Sequence, residues 1–168
     1  MSAQARGRMV VPVRRSVRVV TAKKFHLPRV LGLHVRYEEI EHTADVGIRA
    51  YGSTLDELFA NASEGMFSLI ANLEDVRPVG EVEIRLQADD IPILLLRWLS
   101  ELLYLHETQR FLFSSFEVRV RDTSLEARAR GEAIDKTRHE LRLAIKAVTR
   151  HRLSVDPVKG MAEVIFDI

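Results

Sequence analysis

Two periods of apolar residues take turns along the chain from residue 36 onward, and the elements change where the period changes. RYEEIE (36–41) and ADVGIRAY (44–51) read as short strands. In the second, Val46, Ile48 and Ala50 alternate with Gly47 and Arg49, the period of a half-buried strand. Gly52 and Ser53 punctuate the chain, and Thr54-Leu-Asp-Glu57 has the form of a capping box. The apolar positions after it, Leu55, Leu58, Phe59, Ala62, Met66, Leu69 and Ile70, recur at helical spacing and predict one stripe against a core. Residues 81–88 alternate again through Val82, Ile84 and Leu86, and Asp89 or Asp90 is placed to cap a second helix with Pro92 near its start.

That helix, IPILLLRWLSELLYLHE (91–107), is apolar almost all round. It is short for a membrane span and carries Arg97 and Glu101, so it reads as a central helix with sheet on one side and the other helix beside it. Phe116, Val118 and Val120 then alternate outward, Asp122-Thr-Ser turns the chain, and Leu125, Ala127 and Ala129 alternate back as a hairpin. A polar linker, DKTRHELRL (135–143), leads to IKAVTRHRLSV (145–155), which reads as a regular strand. Asp156-Pro157 and Lys159-Gly160 turn once more, and MAEVIFDI (161–168) closes as a strand. The order ββαβα followed by strands predicts a single α+β domain, two helices packed on mostly antiparallel sheet.

Charge divides this picture in two. Residues 1–36 hold nine Lys or Arg and no acid, and the remainder holds 16 bases against 24 acids, so an acidic body carries a basic leader. Arg14, Arg15 and Arg18 interrupt the leader's apolar residues, which excludes a secretory signal. Three readings of it stay open: a solvated arm, an RNA-binding arm, or a wrongly assigned start or removable targeting segment. Val35 directly precedes RYEEIE, where a compact domain would begin, so the division falls at 1–34 and 35–168. The 168 residues contain no cysteine, which excludes disulfides, thiolate nucleophiles and zinc–sulfur sites.

The closing strand carries the most unusual chemistry. Asp167 and Ile168 end the sequence inside a strand pattern, with Val164, Phe166 and Ile168 on one face, so a terminal carboxylate is expected beside the Asp167 side chain on an apolar anchor. Two anionic groups on a rigid strand need a positive neighbour: a hard divalent cation or a Lys or Arg. Asp45 joins the cluster if the last strand lies beside 44–51, and His42 could orient a carboxylate or serve structurally. Glu101, inside the apolar helix, faces solvent or finds a partner such as Lys146. Lys146 and His151 are an odd number apart, so on a regular strand they point to opposite faces. No nucleophile elbow, phosphate-binding glycine loop or zinc motif is present.

The segments RYEEIEHTADVGIRAYGSTLDELFANASEGMFSLI (36–70), LLLRWLSELLYLHE (94–107), IKAVTRH (145–151) and VIFDI (164–168) together resemble the archease family. The resemblance covers the body from about residue 35 and leaves the leader outside. It implies an accessory protein, not a stand-alone enzyme, one that assists an RtcB-type RNA ligase in tRNA splicing and RNA repair by promoting guanylylation of the ligase with GTP and repeated turnover. It also implies a divalent ion, usually calcium, held by Asp45, Asp167 and Ile168, with His42, Glu101, Lys146 and His151 as contacts or supports, and a cytoplasmic location. The acidic tip so formed would enter the ligase active site, with tRNA engaged indirectly or through the basic leader. Arg150 departs from the family, which often carries an aromatic residue there. The rival readings are a metal-dependent hydrolase using Asp45 and Asp167 as ligands and His42 as base, and an RNA-binding or chaperone-like module working through residues 1–34.

Overall fold

The computed structural model describes residues 29–30, 33–41 and 45–168. In chain order the strands are β1 (Arg29–Val30), β2 (Leu33–His34), β3 (Tyr37–Glu41), β4 (Val46–Tyr51), β5 (Gly80–Gln87), β6 (Phe111–Arg121), β7 (Ser124–Ala133), β8 (Ala147–Val148), β9 (Ser154–Asp156) and β10 (Met161–Asp167). Helix α1 spans Leu55–Ile70 and α2 spans Ile91–Gln109.

Local chemistry starts both helices where the sequence predicts. Thr54 accepts the Glu57 N–H at 3.1 Å, and the Glu57 carboxylate reaches back to the Ser53 N–H at 2.8 Å, one residue ahead of the cap. Asp90 accepts the Ile93 N–H at 2.8 Å with Pro92 in the first turn. Helix α2 stops at Arg110, whose left-handed φ of 54° releases the chain directly into β6.

All strand pairing is antiparallel, but it forms two main sheets rather than one. The first runs β3-β4-β10-β8, with β9 also on β10; the second runs β5-β7-β6. Beside them, β1 and β2 form a two-residue ladder. Helix α1 packs on β4 and β6, and α2 packs on β5 and β6 as well as β8 and β9, so both helices meet both sheets. The sequence reading placed sheet on one side of α2 only; contact with both sheets explains the helix's composition. A helix between two sheets buries Leu94, Leu95, Trp98, Leu99, Leu102, Leu103 and Leu105, leaving a narrow strip with Arg97 and Tyr104 exposed. No described helix is long and apolar enough to cross a membrane.

The helices are joined inside the core by a hydrogen-bond chain. Trp98 Nε1 donates to Ser63 Oγ at 2.7 Å, and Ser63 Oγ donates to Phe59 O at 2.8 Å. Both residues are fully buried, so each polar atom needs the other.

The 135–143 linker is firmly anchored. Arg142 N and Leu143 N donate to Ile70 O and Leu69 O. Glu132, only 6% exposed, gathers five donors from Arg77, Arg138 and His139. His139 Nδ1 accepts the Asp135 N–H at 3.0 Å, so its proton lies on Nε2 and is given to Glu132. Nothing in the sequence pattern marks this cluster, because Arg77 is 55 positions from Glu132 and Arg138 and His139 reach it only when the linker folds back.

Candidate functional site

The last strand is the spine of the five-stranded sheet. β10 pairs with β4 over Met161–Phe166, and on its other side with β9 near its start and β8 at its end. The starts of β4 and β8 and the ends of β3 and β10 therefore lie at the same end of the sheet. The register Phe166↔Val46, carried one residue further, sets Asp45 opposite Asp167. Asp167 in turn pairs with Ala147 on β8. Directly opposed residues of antiparallel strands share a sheet face, so both carboxylates belong to the face that turns away from the helices. The helix side of the same sheet is built from Ile48, Ala50, Ala162, Val164 and Phe166, all fully buried.

Gly47 makes this end possible. A Cβ at residue 47 would lie 2.6 Å from Ile165 Cδ1 and 2.8 Å from Val164 O. The glycine lets the Ile165 side chain lie across β4, and Ile165 is itself buried on this outer face. Thr149 reinforces the strand end by donating both its N–H and its Oγ1–H to Ile165 O at 3.0 Å. Further along the same face, Arg49 bridges Glu38 at 2.8 Å and Glu163 at 3.1 Å, Arg152 meets Glu163 at 3.0 Å, and Tyr51 donates to Glu38 at 2.7 Å. The Tyr51 bond holds the Glu38 carboxyl below its ordinary range, against burial and helped by Arg49. The Glu163 and Glu38 carboxylates raise the Arg49 guanidinium above its own.

Asp45 is half-buried and Asp167 exposed. Neither makes an ion pair within 4.0 Å among the described residues. Lys146 is bonded to this end: its N–H donates to Asp167 O at 2.7 Å and its Nζ to Ile168 O at 3.1 Å. Of the two readings of Glu101, pairing with Lys146 is not the one formed: the ammonium turns to the end of β10, while Glu101 stays half-buried on α2. Ile168 is not the apolar anchor that alternation suggested. It is 38% exposed, and the anchoring falls to Val164 and Phe166.

The parity argument separating Lys146 from His151 also fails, because 145–155 is not one strand. β8 is only two residues long, the chain bends at Arg150, and His151–Arg152 form a turn with Arg152 at φ 54°. His151 is exposed on that turn. His42 lies outside the described residues.

No group of three or more His, Cys, Asp or Glu side chains converges in a metal-binding geometry among the described residues. The oxygen-bearing groups that the strand register brings to this sheet end are the Asp45 and Asp167 carboxylates and Ile168 O. An all-oxygen set of that kind suits a hard cation of the calcium or magnesium type, with water completing its shell, and does not suit zinc or copper.

The fold is that of a small α+β protein with two antiparallel sheets around two helices and two unpaired carboxylate positions, Asp45 and Asp167, at one sheet end among the described residues. The sequence profile of the Archease protein family matches residues 37–168, and the chain belongs to that family. Among its relatives are the protein archease of Pyrococcus furiosus, 34% identical over 79% of this chain and 99% of that protein, and the protein archease of Methanosarcina mazei, 40% identical over 79% and 96%. The solution structure of Methanobacterium thermoautotrophicum protein 1598 superposes with a TM-score of 0.68 at 36% identity, covering 79% of this chain and 99% of that one.

Proposed function

We propose that this protein is a non-enzymatic accessory factor of an RtcB-type RNA ligase, acting in tRNA splicing and RNA repair in the cytoplasm. It promotes guanylylation of the ligase by GTP and allows repeated turnover. Family membership supports the accessory role, and one structural observation supports the part played by the tip: the β4–β10 register that faces Asp45 toward Asp167 beside the oxygens of Ile168. In this reading Asp45, Asp167 and Ile168 hold a hard divalent ion, calcium as the family resemblance implies. Bound there, the ion supplies a fixed positive charge that offsets the two carboxylates. The chain's own part is to present that end rigidly, through the Val46↔Phe166 pair below it and the β8 bonds beside it.

The deciding experiment is GTP-dependent guanylylation of the ligase from the same organism, with and without this protein, beside Asp167→Ala. Strong stimulation that the variant loses is the expected result. No stimulation by the intact protein would overturn the accessory reading and return metal-dependent hydrolysis by Asp45, Asp167 and His42 to the front. The basic leader is a separate contact in this proposal, reaching tRNA through its phosphates. Removing residues 1–34 should then weaken tRNA binding and flatten its salt dependence, without abolishing stimulation of guanylylation.

A further inference from the structure

Lys146 occupies a position that the metal reading alone does not explain. Its main-chain N–H is fixed to Asp167 O at 2.7 Å, so its Cα cannot drift from the strand end. From there the exposed side chain folds back to place Nζ 3.1 Å from Ile168 O. Asp45 and Asp167, the two carboxylates in register beside it, have no ion pair within 4.0 Å among the described residues. The ammonium thus sits on one of the oxygens that a divalent ion at this end would need.

An ammonium hydrogen-bonded to an oxygen and a calcium ion at about 2.3–2.6 Å from the same group cannot coexist cheaply. Their charges repel at short range, and among the described residues no further anion is paired with Lys146 to screen them. One must leave, and the side chain is the one with freedom to do so: Lys146 is solvent-exposed and held only at its tip and its backbone.

We propose that Lys146 is the resident counter-cation of this end of the sheet, and that a divalent ion bound by Asp45, Asp167 and Ile168 displaces its ammonium from Ile168 O. The device has two consequences. Lys146 lowers the apparent affinity of the tip for the ion, and ion binding releases a cationic side chain beside the tip, free to meet an anionic group on a partner. This inference rests on the metal reading of the same three residues.

Calorimetric titration of the full chain with calcium chloride tests it, comparing wild type, Lys146→Met and Lys146→Arg. Lysine Nζ signals are followed by nitrogen-15 NMR in the same titration, with the Lys146 signal assigned by its loss in Lys146→Met. Losing one exposed competing ion pair should tighten calcium binding of Lys146→Met by about threefold to fivefold, while Lys146→Arg, which keeps the competing charge, stays near wild type. In the wild type the Lys146 signal should move toward those of freely hydrated lysines as calcium is added. Calcium binding with equal or weaker affinity in Lys146→Met, or a Lys146 signal that does not move, overturns the inference while leaving the metal site standing. No calcium binding by the wild type overturns the metal reading and this inference with it. Should Lys146→Met fail to fold, the Lys146 signal is assigned by its loss in Lys146→Arg, and its movement or stillness in the wild-type calcium titration decides the matter.

Discussion

Replacing Glu132 by Gln puts the anchoring of the 135–143 linker to a quantitative test. Glu132 Oε1 receives the Arg77 N–H at 2.9 Å, Arg138 Nη2 at 2.7 Å and His139 Nε2 at 3.1 Å, and Oε2 receives Arg77 Nε and Nη2 at 2.9 and 2.8 Å. Every contact is a donor, so either orientation of an amide turns its own N–H groups against donors. Removing one partner of a buried ionic network costs about 3–5 kcal/mol. Here Arg77 and Arg138 are 65% and 36% exposed and can return to water, which lowers the expected loss to about 2–3 kcal/mol. For a chain of this length that is a fall in Tm of roughly 5–10 °C.

The loss should depend on pH. Arg77, with Arg138 and His139 behind it, holds the folded Glu132 carboxyl well below its ordinary value of 4.5 against the opposing effect of burial. A carboxyl depressed in the folded state contributes stability that is complete above its unfolded value and is lost as pH falls through its folded value. Urea unfolding of wild type and Glu132→Gln should therefore show the full gap at pH 7 and a narrowing gap as pH drops below about 4.5. Equal midpoints at pH 7, or a gap of constant size down to pH 3, would refute the reasoning.

Other substitutions probe the remaining contacts. Ser63→Ala deprives the buried Trp98 N–H of its 2.7 Å acceptor and should cost about 1–3 kcal/mol in urea unfolding, whereas Ser63→Thr should recover part of it. In Gly131→Ala the new Cβ would fall 1.7 Å from Leu112 O, so β6 and β7 must part beside the irregularity at Phe113–Ser115. A loss on the order of 3 kcal/mol or more is expected, read as a drop in thermal midpoint. Arg110→Gly relieves a left-handed φ of 54° at the end of α2 and should raise stability by about 0.5–1 kcal/mol. Asp45→Asn and Asp167→Asn should each weaken calcium binding in calorimetry without changing the unfolding midpoint of the calcium-free protein by more than about 0.5 kcal/mol, since neither carboxylate is paired among the described residues.

Both helices, their caps and the hairpin were legible from the sequence because they are local. Thr54 with Glu57, Asp90 with Pro92, and the alternation through Val118 and Ala127 each need only neighbours a few positions away. Side-chain period likewise identified Val46, Ile48 and Ala50 as one face of β4, and Val164 and Phe166 as one face of β10, both of which the structure packs against the helices. The 145–155 segment was misread for the same reason that the others were not. Its apolar residues suggest a strand, but β8 and β9 flank different ends of β10, and the turn at His151–Arg152 that separates them is set by the strand they share.

Only tertiary structure could decide which oxygens meet. The long-range β4–β10 register, carried one residue past Val46↔Phe166, sets Asp45 and Asp167 on the same face, and a slip of one residue would have sent them to different faces. Lys146 turned from Glu101 to Ile168 because β8 hydrogen-bonds the end of β10 and carries the lysine there with it. The sequence determined the elements and the kinds of chemical groups at their ends, since both follow from short-range sterics and hydrophobic period. Which ends came together was decided by burying Trp98 and its neighbours between two sheets, a global requirement that no local stretch encodes.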